Sequence, residues 1–195
     1  MKKRKAVIAT ENQGKLQEYE MLLEPLGFEL FTMSDFDVAP IVETGNTFRD
    51  NALIKAKALR NVVGEMIIAD DSGLEVDALG KKPGIHSKRF SDDATDESNN
   101  TLLLKRMENE RDRRARFVTV IVLLDKDGST RFFEGYLDGY IHTQREGDNG
   151  FGYDPLFIPA GYTKTLAELN TSEKNRISHR ANALKKVVRF LEMQD

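Results

Sequence analysis

Three carboxylates stand where they would need a partner. Asp70-Asp71-Ser72-Gly73 directly follows the apolar run Met66-Ile67-Ile68-Ala69, and Glu43 precedes Thr44-Gly45 upstream. Carboxylates beside a buried segment are costly unless they are paired or bound to a cation. Hard oxygen ligands suit Mg²⁺, which takes one or two protein carboxylates and fills its shell with waters and phosphate oxygens. Glu43 and Asp71 meet that need if the chain brings them together. Read alone, Asp70 and Asp71 also suit an acidic turn closed by Ser72 and Gly73.

Cations and anion-binding backbone lie in other segments. Thr10-Glu11-Asn12-Gln13-Gly14-Lys15 joins an apolar run to a helical pattern, so free N–H groups, the positive helix end and Lys15 together favour an anion. The spacing is not that of a Walker A loop, and by itself the stretch also reads as an ordinary polar turn. Asn51 and Lys55 are four apart and share a helix face that starts near Glu43. Gly150-Phe151-Gly152-Tyr153-Asp154-Pro155 sets two glycines around an aromatic. Such backbone approaches a ligand closely, and Phe151 offers a flat face to a base; a tight turn with a buried ring is the plain alternative. Lys174, His179 and Arg180 gather donors around Ser178, a natural helix N-cap. Those donors suit a carbonyl oxygen on a base. His86 and His142 have no partners at metal-ligand spacing and read as structural or surface residues.

The elements that must carry these groups are legible in the periodicity. Ala6 to Ala9 reads as a buried strand. Leu16, Tyr19, Leu22, Leu23 and Leu26 fall on one helix face that stops at Gly27, and Phe28 to Thr32 alternates as a second strand, completing a βαβ unit. Phe48, Ala52, Ala56, Leu59 and Val63 mark a second helix entered at Asn46 or Thr47. Met66 to Ala69 is a further buried strand that delivers the acidic pair at its carboxyl end, where ligands bind in open α/β sheets. A third helix starts near Thr95, with Leu102, Leu103 and Met107 inward. Glu108 to Arg116 carries dense charge of both signs and reads as a solvated turn. Val118 to Leu124, the Asp127-Gly128 turn and Thr130 to Tyr136 form a β-hairpin, with Asp138 to Thr143 as a separate strand. A last helix from Ser178 turns Ala181, Leu184, Val188 and Leu191 inward.

The bulk properties set outer limits. With 195 residues, 39% hydrophobic and 31% charged, the chain can build one compact unit, split at most into two lobes. A net charge of −3 argues against broad electrostatic binding of nucleic acid. The absence of cysteine excludes disulfides, thiolate nucleophiles and cysteine-ligated metals. The basic start Met1-Lys2-Lys3-Arg4-Lys5 is followed by an apolar stretch far short of the roughly 7–15 residues of a signal core. No segment approaches the roughly 20 apolar residues of a membrane span. A soluble, cytoplasmic protein without membrane attachment is expected.

Taken together and in order, Ala9 to Lys15, Glu43 to Phe48, Asn51 to Ala56, Ala69 to Leu74, Pro83-Gly84-Ile85, Gly150 to Pro155 and Ile177 to Arg180 resemble the inosine triphosphate pyrophosphatase family, and the likeness covers nearly the whole chain. The resemblance implies one α/β domain over residues 1–195, with two lobes around a long central mixed sheet and a nucleotide-binding cleft. It implies Mg²⁺-dependent hydrolysis of deaminated purine nucleoside triphosphates (ITP, dITP, XTP) to the monophosphate and pyrophosphate, by a homodimer. Carried over by position, Asp71 is the proton acceptor and, with Glu43, a Mg²⁺ ligand. Thr10, Glu11, Asn12, Gln13, Gly14, Lys15, Lys55 and Ser72 hold the phosphates; Phe151, Gly152, Tyr153, Asp154, Lys174, His179 and Arg180 hold base and sugar. The chain departs from the family pattern at His86 and Lys88, where tyrosine and alanine are expected, and Glu11 puts a negative charge in the phosphate loop.

Overall fold

A computed structural model describes residues 4–193. Met1, Lys2 and Lys3, part of the basic start, lie outside the described residues. Six strands form one mixed sheet in the order β2-β1-β3-β4-β5-β6. They are β1 (Arg4–Ala9), β2 (Phe28–Thr32), β3 (Met66–Val76), β4 (Arg114–Leu124), β5 (Thr130–Ile141) and β6 (Phe157–Pro159). Five α-helices are named in chain order: α1 (Gln13–Leu23), α2 (Phe48–Arg60), α3 (Asp96–Arg106), α4 (Thr171–Ile177) and α5 (His179–Glu192).

The chain divides into two compact units, residues 1–71, 119–135 and 181–195 in the first, 72–118 and 136–180 in the second. In the first unit β1 pairs parallel with both β2 and β3. Successive residues of β1 are buried on both sides, which explains its unbroken apolar run. On one face Ala6, Ile8 and Ile68 pack with Tyr19 and Leu23 of α1 and with Ala183, Leu184, Val187 and Leu191 of α5. On the other, Val7, Ala9, Ile67 and Ala69 pack with Ala52, Ala56 and Leu59 of α2. The expected βαβ opening is present: α1 runs into a single tight turn at Glu24–Leu26, and Gly27 closes it at φ 78°.

The second unit has its own core. Leu74 and Val76 of β3, Leu103 of α3 and Met107 at its end, Ala115 and Phe117 of β4, and Ile141, Leu156 and Phe157 pack together.

Several expected boundaries move. β3 does not stop at Ala69 but continues to Val76, so Asp70 to Gly73 are mid-strand rather than a capped turn. β4 begins at Arg114, not Val118: Ala115 and Phe117 alternate inward while Arg114 stays exposed, a period of two that the charges conceal. Arg113, expected in a solvated turn, donates to the carbonyls of Met107, Ile141 and His142 at 2.9, 2.6 and 2.8 Å. β5 runs unbroken from Thr130 to Ile141 instead of as two strands. Val187 rather than Val188 is fully buried. α4 and β6, both short, carry no periodic signal. The hairpin turn is as expected, with Asp125 N–H donating to Ser129 O at 2.9 Å and Gly128 at φ 85°.

Candidate active site

The acidic pair owes its setting to strand register. Ala9 at the end of β1 lies opposite Ala69, so β1 stops where Asp70 begins and β3 runs on past it. The loop leaving β1 therefore starts beside the carboxylates. In that loop Thr10 Oγ1 accepts the Asn12 N–H at 3.2 Å, and Asn12 Oδ1 accepts the Lys15 N–H at 3.1 Å, capping α1. Glu11, Asn12 and Gln13 are exposed. Asn12 is thus both the helix cap and part of the expected anion loop.

Adjacent strand residues point to alternate sides, so Asp70 and Asp71 are not a matched pair. Asp70 follows Ile68 toward α1, where Lys15 Nζ meets its Oδ2 at 2.6 Å. Asp71 follows Ala69 toward α2. There Asn51 Nδ2 donates to Asp71 Oδ2 at 3.0 Å, and Lys55 Nζ lies 4.0 Å from Asp71 Oδ1. The same ammonium pairs with Glu43 Oε1 at 2.7 Å. The spacing of Asn51 and Lys55 on α2 sets both toward one carboxylate, and Thr47 starts that helix by accepting the Asp50 N–H at 3.1 Å.

Electrostatics follow from burial. Asp71 is 7% exposed, and its desolvation raises the carboxyl above the ordinary range against the pull of Lys55; Glu43 adds to the rise. Burial alone would lower the Lys55 ammonium, but the carboxylates of Asp70, Asp71 and Glu43 outweigh it and hold the group above its usual value. Two carboxylates aimed at one half-buried cation form a donor set of hard oxygens that fits Mg²⁺, which needs only one or two protein carboxylates. Among the described residues no three His, Asp or Glu side chains cluster as a ready-made metal cage. Phosphate oxygens and water would have to complete the shell.

The remaining expected residues group in the second unit, which begins at Ser72, a half-buried strand residue. Gly150, at φ 83°, starts the turn: a Cβ there would lie 2.1 Å from Asp154 Oδ2. Asp154 Oδ2 accepts the Phe151 N–H at 2.9 Å and pairs with Lys174 Nζ at 2.5 Å. Burial pushes the Asp154 carboxyl up, while Lys174 and Arg180 pull it down. The Lys174 ammonium sits 4.5 Å from the Phe151 ring centroid, on one face of a ring that stays 38% exposed. His179 stacks on Phe117 at 4.9 Å with an interplanar angle of 12°. Arg180 is almost wholly buried.

Other members hold the turn itself. Tyr153 is buried and donates from its hydroxyl to Ser87 O at 2.7 Å, and desolvation raises that hydroxyl. Gly152 donates its N–H to Asp96 Oδ2 at 2.7 Å and accepts from Asn100 Nδ2 at 2.8 Å. His86 and Lys88 are exposed, and His142 Nδ1 accepts the Thr143 N–H at 2.8 Å. Two residues in contact with the candidate side chains were given no site role from sequence: Asn51, bonded to Asp71, and Phe117, stacked on His179. A polar residue four before a candidate lysine was the available signal for the first; nothing local marks the second.

A Ham1 family profile matches residues 6–190. A dITP/XTP pyrophosphatase of Exiguobacterium sp. is 47% identical over 185 residues, covering 94% of each chain. Another from Bacillus subtilis is 43% identical over 194 residues, 97% of this chain and 98% of that one. Among solved structures, a Ham1 protein of Staphylococcus aureus is 40% identical with a TM-score of 0.87, covering 98% of this chain and all of that one. A HAM1 protein of Coxiella burnetii is 37% identical with a TM-score of 0.91, covering 97% and 99%. A profile match over residues 6–190, at these identities and with this mixed α/β fold, means that the chain belongs to the Ham1 family.

Proposed function

We propose that this chain hydrolyses deaminated purine nucleoside triphosphates (ITP, dITP, XTP) to the monophosphate and pyrophosphate, with Mg²⁺ as cofactor. The convergence of Glu43 and Asp71 on the Lys55 ammonium is the observation that carries the reading, because carboxylates beside a polyphosphate repel it unless a cation intervenes. The names of the relatives, dITP/XTP pyrophosphatase, support the substrate class.

In this reading Asp71 orients a water molecule and takes its proton as the water oxygen bonds to the α-phosphorus. The bond from that phosphorus to the bridging oxygen breaks, and pyrophosphate leaves with the electron pair. Lys15 and Lys55 stabilise the phosphoryl charge, with the Thr10–Gly14 loop and Ser72 offering donors to phosphate oxygens. Glu43 and Asp71 would hold Mg²⁺, which would supply positive charge against the leaving pyrophosphate. The raised Asp71 carboxyl is closer to the range useful to a general base than an ordinary aspartate.

The base is selected by hydrogen-bond polarity. Hypoxanthine and xanthine present a 6-oxo acceptor, adenine a 6-amino donor. Donors from His179 and Arg180 would suit the former and would meet the latter donor to donor, which is heavily penalised in a buried site. Phe151 stacks on the base with the ring face that Lys174 leaves uncovered.

The test is an assay of ITP, XTP, GTP and ATP with product identification. Mg²⁺-dependent release of pyrophosphate from ITP and XTP, abolished by chelation, is expected. Orthophosphate as the product marks a general phosphatase, and binding without turnover marks a non-catalytic nucleotide module; comparable ATP hydrolysis defeats the donor-pocket account. The reading includes a cytoplasmic homodimer, the setting and assembly that the family resemblance implies. No helix among the described residues is long and apolar enough to cross a membrane.

A further inference from the structure

Asn51 is fully buried on α2 and brings neither charge nor nucleophile. Its Nδ2 donates to Asp71 Oδ2 at 3.0 Å, and its Oδ1 accepts the Gly45 N–H at 2.8 Å. Gly45 lies two residues after Glu43. One planar amide therefore ties the strand that bears Asp71 to the loop that bears Glu43. The Gly45 N–H can only donate, so the amide oxygen must face it and the amide nitrogen must face the carboxylate. The loop is fitted to this contact: a Cβ on Gly45 would lie 2.7 Å from Asn51 Oδ1 and 2.5 Å from Asp50 Cβ.

A second link between the same carboxylates is the Lys55 ammonium, at 2.7 and 4.0 Å. That link is a full charge, so any phosphate or cation entering the site competes with it. The amide link is neutral and keeps both partners when Lys55 turns to another. Few residue types serve here. Aspartate would set a like charge against Asp71, leucine has neither donor nor acceptor, and glutamine is a methylene longer in a fully packed position.

Resting on the hydrolase reading above, the geometry points to Asn51 as a positioning residue that ties the Glu43 loop to Asp71 so that both carboxylates can serve one Mg²⁺. It acts through those two carboxylates and touches no reacting atom. Groups that orient metal ligands typically change metal affinity or activity by about 10–100-fold when removed. The loss should fall on metal affinity here, because ligand identity is untouched.

The experiment compares Asn51→Ala and Gly45→Ala with a control, Leu59→Ala, which hollows the core beneath α2 without touching either hydrogen bond. Two readouts are taken. One is the rise in melting temperature as Mg²⁺ is titrated in the presence of inorganic pyrophosphate; the other is the Mg²⁺ dependence of ITP hydrolysis at saturating ITP. Both site variants should raise half-saturating Mg²⁺ by about 10–100-fold in each readout, with kcat at saturating Mg²⁺ much less affected. The double variant should be no worse than the poorer single one, since both cut the same link. Leu59→Ala should lower the melting temperature and leave half-saturating Mg²⁺ as in the unmodified chain. If the site variants behave as Leu59→Ala does, the inference is overturned. Should Asn51→Ala not fold, Gly45→Ala decides alone. Failure of the unmodified chain to release pyrophosphate with Mg²⁺ overturns the hydrolase reading instead, a result separate from any variant.

Discussion

At the scale of single residues, Asp71 carries opposed demands. Its carboxyl is raised chiefly by burial, so its charged form is disfavoured in the folded chain relative to the unfolded one. A carboxyl raised in this way stabilises the fold while protonated, below its ordinary value near 3.9, and that contribution is lost as pH climbs through the folded value. Asp71→Asn should therefore lower turnover by orders of magnitude yet raise the melting temperature of the metal-free protein at neutral pH. Lys55 keeps Glu43 as partner in that variant. A gain of 1 kcal/mol would appear as roughly 2–4 °C for a chain of this size. The difference between the two proteins should close as pH falls toward the ordinary carboxyl value of about 3.9, because the raised Asp71 carboxyl takes up its proton above it. Melting curves from about pH 4 to about pH 8 without metal check this; a variant less stable at every pH would mean that the buried charge is fully compensated.

At the scale of elements, the sites depend on how strands meet. Gly139 of β5 lies opposite Pro159 of β6, and a Cβ there would stand 2.3 Å from Ile158 O and 2.7 Å from the Phe157 ring. Gly139→Ala should force β6 away and cost about 1–3 kcal/mol, the usual range for overpacking, seen as a lower denaturant midpoint. An unchanged midpoint would show that β6 yields freely. What could be read from sequence follows the same division. α2 announced itself by period and cap, and so did the burial of β1, because both faces of that strand are apolar. Asp70 to Val76 did not read as strand, because polar residues and a glycine interrupt the pattern where the strand serves a site. Arg114 to Phe117 was hidden by charge on its exposed face. The candidate residues were identified by type and by family resemblance, but their assortment into Lys15 with Asp70, and Lys55 with Asp71 and Glu43, needed the register of β1 against β3. The contact of His179 with Phe117 joins residues remote in sequence and left no local sign.

At the scale of the molecule, neither unit is contiguous in sequence. The first is completed only when residues 181–195 return, and α5 then supplies Ala183, Leu184, Val187 and Leu191 to its core. Leu184→Ala should cost about 2–5 kcal/mol and be felt by the whole first unit, with hydrogen exchange rising in β1 and β3 as well as in α5. Faster exchange confined to α5 would mean that the helix frays independently. The chain passes between units at Asp71–Ser72, Val118–Thr119, Gly135–Tyr136 and Arg180–Ala181. The first of these passages follows immediately after the proposed base, and there the counting of residues along β3 becomes chemistry. Sidedness in a strand is a matter of odd and even, so one residue added between Ala69 and Asp70 would seat Asp70 where Asp71 now stands and leave Lys15 facing the added residue. One residue removed would seat Ser72 there instead and move Asp70 back into the place of Ala69, two residues short of the Asp71 position. Substitutions near Asp70 test a side chain, whereas an insertion or deletion there rewrites which side chain does the work.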